Sequence, residues 1–308
     1  MRPSLVAASF LGASSLFAQP PDPRPKFRVD VDTVSLSVTL LDEKGGLVNG
    51  LPADNFKVYE DGVEQTIRYF SQAELPLKMV ILLDTSSSMR QKIDMARQAA
   101  IRFVHSLKPE DEVQVVEFND RVLTLAEFTS DFDQVQQAIE ATDVGGATSL
   151  YNAIYISLKD LERQTKDELD RRSIVVLSDG NDTKSLLGFE DVKQQARRSN
   201  VIIYAISLRA TESDLEKDKY RNAKYELDML ARESGGMSYA PDKLDDLSGV
   251  YEEIATELAS QYAIGYVSTN DTHDGKWRRL QVLSSESGTE VRMRSGYYAR
   301  RAPRRKRP

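Results

Sequence analysis

The sequence contains no cysteine. This excludes a disulfide framework, a thiolate metal site, a cysteine nucleophile and a thiol-linked lipid anchor. Histidine is almost as scarce, with His105 and His273 the only two in 308 residues. Beyond the first 18 residues, no stretch approaches the roughly 18 apolar residues that a bilayer-spanning helix requires. No lysine follows the Gly145-Gly146 pair as a phosphate-binding loop demands, and no Gly-x-Ser-x-Gly elbow is present. What is present is 40% hydrophobic residues, enough for one sizeable core and a smaller second unit.

The two ends differ from the body. Arg2, the apolar stretch Leu5 to Leu11 and the small residues up to Ala18 have the layout of a secretory signal peptide over residues 1–18. The expectation is an exported chain, periplasmic or extracellular, with no membrane-spanning helix once that segment is removed. Residues 19–26 are Pro-rich and polar, which suits an extended linker. At the other end, residues 300–308 contain six basic side chains, so the rest of the chain sums to −13 against −7 overall. So acidic a body argues against nucleic acid as a partner. The basic tail reads as a solvated end, or alternatively as a contact for an anionic surface.

Between these ends the periodicity changes twice. Residues 27–76 form an N-terminal β segment: Val29, Val31, Val34, Leu36, Val38 and Leu40 alternate with polar residues, with a phase slip near Thr33 that suggests a bulge or two short strands. Asp61-Gly62 between Val58 and Ile67 predicts a tight hairpin turn. From residue 77 to 260 the pattern becomes α/β. Met79 to Leu83 is a continuous apolar run, as expected of a strand covered on both faces. A helical face running from Met89 to Leu107, the hairpin 113–128, helices near 131–141 and 150–164, and the apolar run Ile174 to Leu177 follow. Helices at 190–199, 224–233 and 245–259 and a strand at 201–208 complete the unit, with Arg209 to Ala223 read as a charged surface insertion. Alternating strands and helices predict a doubly wound, mostly parallel sheet with helices on both faces. Residues 261–299 return to β, with strands at 262–267, 277–283 and 291–293. Too few to stand alone, the two β segments are expected to pair into one small β-sandwich into which the α/β domain is inserted.

Three segments carry chemistry. Asp84-Thr85-Ser86-Ser87-Ser88 follows the first apolar strand, Gly145-Gly146-Ala147-Thr148 precedes a helix, and Ser178-Asp179-Gly180 follows the second apolar strand. Each alone has a bland reading, as a helix cap for the first two and a turn for the third. Together they supply what a hard divalent cation requires, which is about six oxygens with some waters retained. Ser86, Ser88 and Thr148 offer neutral hydroxyls; Asp84 and Asp179 offer two charges, directly or through water. A cation held largely by hydroxyls keeps much of its field, so a vacant coordination position attracts an incoming carboxylate. The expected cation is Mg2+, with Mn2+ or Ca2+ as substitutes, and the expected partner is a protein bearing an acidic residue.

These three segments, in this order, resemble the metal-ion-dependent adhesion site of von Willebrand factor type A domains over about residues 77–260. The resemblance implies a Rossmann-like fold and a binding module rather than an enzyme. Ala147 is a departure, since many members run glycine straight into threonine. The flanking Phe56 to Gly62 and Ser295-Gly296-Tyr297-Tyr298 are similar to a bacterial group of exported type A-related proteins. Two other readings are a Mg2+-dependent hydrolase or phosphoryl-transfer enzyme, which lacks supporting residues, and a structural scaffold whose metal meets no ligand.

Overall fold

Met79 to Leu83 form the middle of a strand, β5 (Leu77–Asp84), and all five are fully buried, as an apolar run covered on both faces must be. The structure is a computed structural model that describes residues 33–72, 75–164, 169–179, 182–208 and 214–301, with only the backbone at 214–219. The expected signal peptide and linker, residues 27–32, Gly180 and the basic stretch from 302 onward lie outside the described residues. The strands before β5 are β1 (Thr33–Asp42), β2 (Phe56–Glu60), β3 (Val63–Gln65) and β4 (Ile67–Gln72). After it come α1 (Ile93–His105), β6 (Glu112–Phe118), β7 (Val122–Thr129), α2 (Phe132–Glu140), α3 (Leu150–Gln164), β8 (Arg171–Ser178), α4 (Phe189–Arg198) and β9 (Ile202–Ser207). The chain continues through α5 (Asp214–Ser234), β10 (Ser238–Tyr239), α6 (Leu247–Ser260), β11 (Tyr262–Val267), β12 (Trp277–Ser284), β13 (Thr289–Arg292) and β14 (Gly296–Tyr298).

The central sheet has the order β10-β9-β8-β5-β6-β7, parallel throughout except for the β6–β7 hairpin at one edge. Strand alternation divides its core. Met79, Ile81 and Leu83 pack with α1, α2 and α6 on one face, through residues such as Phe103, Ile139 and Ile254. Val80 and Leu82 pack with α3, α4 and α5 on the other, through Ile154, Val192 and Leu227. The chain winds outward from β5 to β7 and then crosses back to β8 on the far side of β5. The direction of winding therefore reverses between β5 and β8, and the carboxyl edge of that pair is where such sheets bind ligands.

The ends of the chain meet. β1 pairs antiparallel with β11 and β13, β4 with β11, and β2 with β12, giving the four-stranded sheets β13-β1-β11-β4 and β14-β12-β2-β3. Their shared core holds Leu36, Val38, Phe56, Val58, Ile264, Leu280 and Val282. The fold is the expected one: a mostly parallel α/β sheet flanked by antiparallel sheets built from both ends. The Asp61-Gly62 turn also has the anticipated geometry, with φ of 48° and 83°.

β1 begins at Thr33, and the phase slip expected there involves Val29 and Val31, which lie outside the described residues. Two expectations need correction. The helical face expected from Met89 begins as a 3-10 turn over Ser87–Gln91, and α1 starts only at Ile93. The stretch 209–223 is not all surface insertion, because α5 begins at Asp214 and absorbs most of it. Trp277, the first residue of β12, lies on the face opposite the sandwich core. Leu280 and Val282 point inward, so period-two alternation turns residue 277 outward, where its ring meets Tyr298 edge-on at 5.1 Å. Arg278 occupies the inward position instead, near the buried carboxylate of Glu60, which also accepts bonds from Tyr266, Tyr297 and Ser268.

Candidate metal centre

Asp84 is the last residue of β5 and is fully buried. Its Oδ1 accepts the Ser86 N–H at 2.9 Å, and its Oδ2 accepts the Ser178 hydroxyl, from the end of β8, at 2.5 Å. Ser86 heads the 3-10 turn, yet its hydroxyl does not cap that turn. It lies 3.1 Å from the Ser88 hydroxyl, which in turn donates to Asp179 Oδ1 at 2.7 Å. Asp84, Ser86, Ser88 and Asp179 are thus brought together at the reversal between β5 and β8, and helix capping does not account for the two serines.

The loop that carries Thr148 runs beside the Asp84 segment, while the backbone bonds of Thr148 itself go to Thr183 and Lys184 rather than to the Asp84 cluster. Gly145 N–H donates to the Thr85 carbonyl at 2.8 Å, and Ser87 N–H donates to the Gly146 carbonyl at 3.1 Å, so the two loops are laced by backbone bonds. Gly146 has φ of +81°, a conformation that favours glycine, and a Cβ there would fall 2.7 Å from the Asp120 carboxylate and displace it. Asp120 also accepts the Ala147 N–H at 2.7 Å, which pins the loop where this sequence departs from the usual glycine-to-threonine step. The Thr148 carbonyl accepts the N–H groups of Thr183 and Lys184, and its own N–H donates to the Thr183 hydroxyl.

The electrostatics favour a cation. Removal from water raises the Asp84 carboxyl from its usual 3.8 to about 6; the bonds from Ser178 and Ser86 oppose this, and the neighbouring Asp179 adds to it. Both carboxylates are nearly waterless; Asp179 is paired with Lys92, and the charge held mainly by hydroxyl and N–H donors is that of Asp84. The donors are oxygens only, which suits a hard cation rather than a soft one. Among the described residues no cluster of three or more His, Cys, Asp or Glu is placed to hold a metal. Any resident metal here would therefore depend on the hydroxyls.

Three contributors were not visible in the motif. Lys92, one residue before α1, pairs with Asp179 Oδ2. Ser178 fixes Asp84, and Asp120 fixes the threonine loop. Only Ser178 lay inside a recognised segment; Lys92 and Asp120 become neighbours of the site through folding. His105 is remote from it, at the far end of the 13-residue α1, about 20 Å along the helix, and bonded to Gln136.

Residues 79–181 match the family model of the von Willebrand factor type A domain. A UPF0353 protein of Mycolicibacterium paratuberculosis is 25% identical over 232 residues, covering 69% of this chain and 68% of its own. Inter-alpha-trypsin inhibitor heavy chain H4 of Bos taurus is 21% identical over 224 residues, covering 66% of this chain but only 23% of its own length. Among solved structures, a von Willebrand factor type A protein from Catenulispora acidiphila aligns over 90% of this chain and 76% of its own, with TM-score 0.50 and 11% identity. The pilus adhesin SpaC of Lactobacillus rhamnosus GG aligns over 82% of this chain and 48% of its own, with TM-score 0.52 and 9% identity. At such identities the solved structures speak for the fold alone. The family match falls on β5 through the Asp179 turn, the same stretch that assembles the oxygen cluster, and the chain carries a von Willebrand factor type A domain.

Proposed function

We propose that this protein is an exported binding module that grips an acidic group of a protein partner through a divalent cation. Ser86, Ser88 and Thr148 would hold the cation through neutral hydroxyls, and Asp84 and Asp179 would balance its charge. The observation that carries this reading is the chain of bonds from Asp84 through Ser86 and Ser88 to Asp179 at the sheet's reversal point. Domains of this type commonly serve in protein interaction and adhesion. The cation, Mg2+ or in its place Mn2+ or Ca2+, supplies a coordination position that a partner's carboxylate can fill. Asp84 and Asp179 are buried whereas Ser88 is exposed, so the approach to the cluster is from the Ser88 side. Lys92 neutralises Asp179 in the absence of a cation and has to yield or share that carboxylate when one binds.

Capture from an envelope extract tests the partner half of this reading. Immobilised protein in Mg2+ is expected to retain a partner that chelator releases and that Thr148→Ala fails to hold, with unchanged circular dichroism in all three cases. Retention that survives both chelator and Thr148→Ala places the contact elsewhere on the molecule.

A further inference from the structure

Lys92 sits where local preference does not favour a lysine. It is the residue that opens α1, a position at which short oxygen-bearing side chains bind the free N–H groups of a helix, and its own side chain makes no such bond. The positive end of the helix dipole lies there too, so the ammonium stands against the field of its own helix. Its backbone is fixed on both sides: the Lys92 N–H donates to the Met89 carbonyl at 2.8 Å, and the Lys92 carbonyl accepts the Ala96 N–H at 3.0 Å. Met89 and Ala96 are both fully buried and hold these two anchors in the core.

What the side chain meets explains the placement. Its ammonium pairs with Asp179 Oδ2, and only 13% of the lysine side chain and 1% of the aspartate side chain are exposed. In a pair so far out of water, removal of one partner leaves the other charge uncompensated at high cost. Asp84, the second carboxylate of the cluster, is held by the Ser86 N–H and the Ser178 hydroxyl, both neutral donors. Two carboxylates against one ammonium leave the cluster with a single negative charge. A divalent cation entering beside a retained ammonium would turn this into a net positive charge in a place nearly closed to water. Exchange of the ammonium for the cation leaves the cluster neutral instead, which is the cheaper outcome.

We propose that Lys92 is a tethered counter-charge that a divalent cation has to displace, so that this one side chain sets how tightly the site binds metal. The inference rests on the cation reading above and names what regulates that same site. Because the backbone at Lys92 is bonded on both sides, the exchange is a swing of the flexible lysine stem, with Asp179 and α1 left in place. When metal is scarce the ammonium keeps the buried Asp179 compensated, and only a sufficient concentration of divalent cation evicts it. A monovalent ion would exchange one unit of charge for another, whereas a divalent ion adds a unit, so the pair also favours divalent over monovalent cations.

Calorimetric titration of the chelator-stripped full chain with Mg2+, at pH 7 and fixed ionic strength, tests this. Lys92→Met is expected to bind Mg2+ about tenfold or more tightly than the wild type, and Lys92→Gln, which keeps a neutral donor for Asp179, to shift in the same direction. Arg90→Met removes an exposed positive charge from the neighbouring 3-10 turn and is expected to change affinity by less than about threefold. Without metal, Lys92→Met should melt below the wild type, and saturating Mg2+ should raise its Tm by more. Circular dichroism at the titration temperature checks that each variant is folded. Mg2+ binding by the wild type that is unchanged or weaker in both Lys92 variants overturns the proposal and makes the lysine a support for Asp179. Mg2+ binding by neither the wild type nor the variants removes the cation reading itself and this inference with it, while binding seen only in the variants upholds both.

Discussion

Asp84→Asn should make the metal-free protein more stable at neutral pH while removing its ability to hold a cation. In the unfolded chain this aspartate ionises at its ordinary value of 3.8, whereas burial raises it to about 6 in the folded protein. The folded state therefore holds the proton more tightly. As pH rises from 3.8 to 6 the folded state loses stability, and above 6 the full penalty is present. The difference corresponds to about 3 kcal/mol at most, from about 1.4 kcal/mol per pH unit, and a gain of about 1–3 kcal/mol is expected. Asparagine keeps an oxygen for the Ser86 N–H and can donate to the Ser178 hydroxyl, so the shape is conserved and only the charge is removed. Calorimetric melting in chelator should show a higher Tm for Asp84→Asn at pH 7 and almost none of that gain near pH 4. A lower Tm at pH 7 would mean that the buried carboxylate stabilises the fold, not the function.

Leu36→Ala addresses the architecture. Leu36 is fully buried at the centre of β1, opposite Ile264 of β11, and packs in the core shared by both sandwich sheets. Truncation in such a site costs about 2–5 kcal/mol. Because both strands that flank β1 in its sheet, β11 and β13, come from the C-terminal part of the sequence, the loss should appear there too. Amide exchange is expected to accelerate together in 33–42, 262–267 and 277–284, while β5 and β8 keep their protection. Acceleration confined to 33–42 would show that the terminal strands do not open as one unit. Trp277 is a poor reporter for this, since its ring sits on the outer face against Tyr298 rather than in the sandwich core.

The features read correctly from sequence are those in which chemistry and periodicity agree. The run from Met79 to Leu83 could be covered only on both faces, and the alternation of Leu36 and Val38 with that of Leu280 and Val282 demanded a shared core. The meeting of Asp84, Ser86, Ser88 and Asp179 followed from their positions at the ends of neighbouring strands. What was missed depends on neighbours distant in sequence or on very short elements. Lys92 joins Asp179 across 87 positions, and Asp120 reaches the Gly146 loop from the β6–β7 turn. β10 and β14 span two and three residues, too few for alternation to register. The early turns of α5 were read as an insertion because Arg209 to Ala223 is densely charged and offers few apolar residues to mark a helical face.

The claim on which the functional reading rests is that a divalent cation binds at the Asp84 cluster. Isothermal titration of the chelator-stripped protein with Mg2+ and Mn2+ tests it most directly. The expected result is one saturable site in the wild type, absent in Asp84→Ala and weakened in Ser88→Ala; no metal-dependent heat, or heat unchanged in Asp84→Ala, would contradict the account.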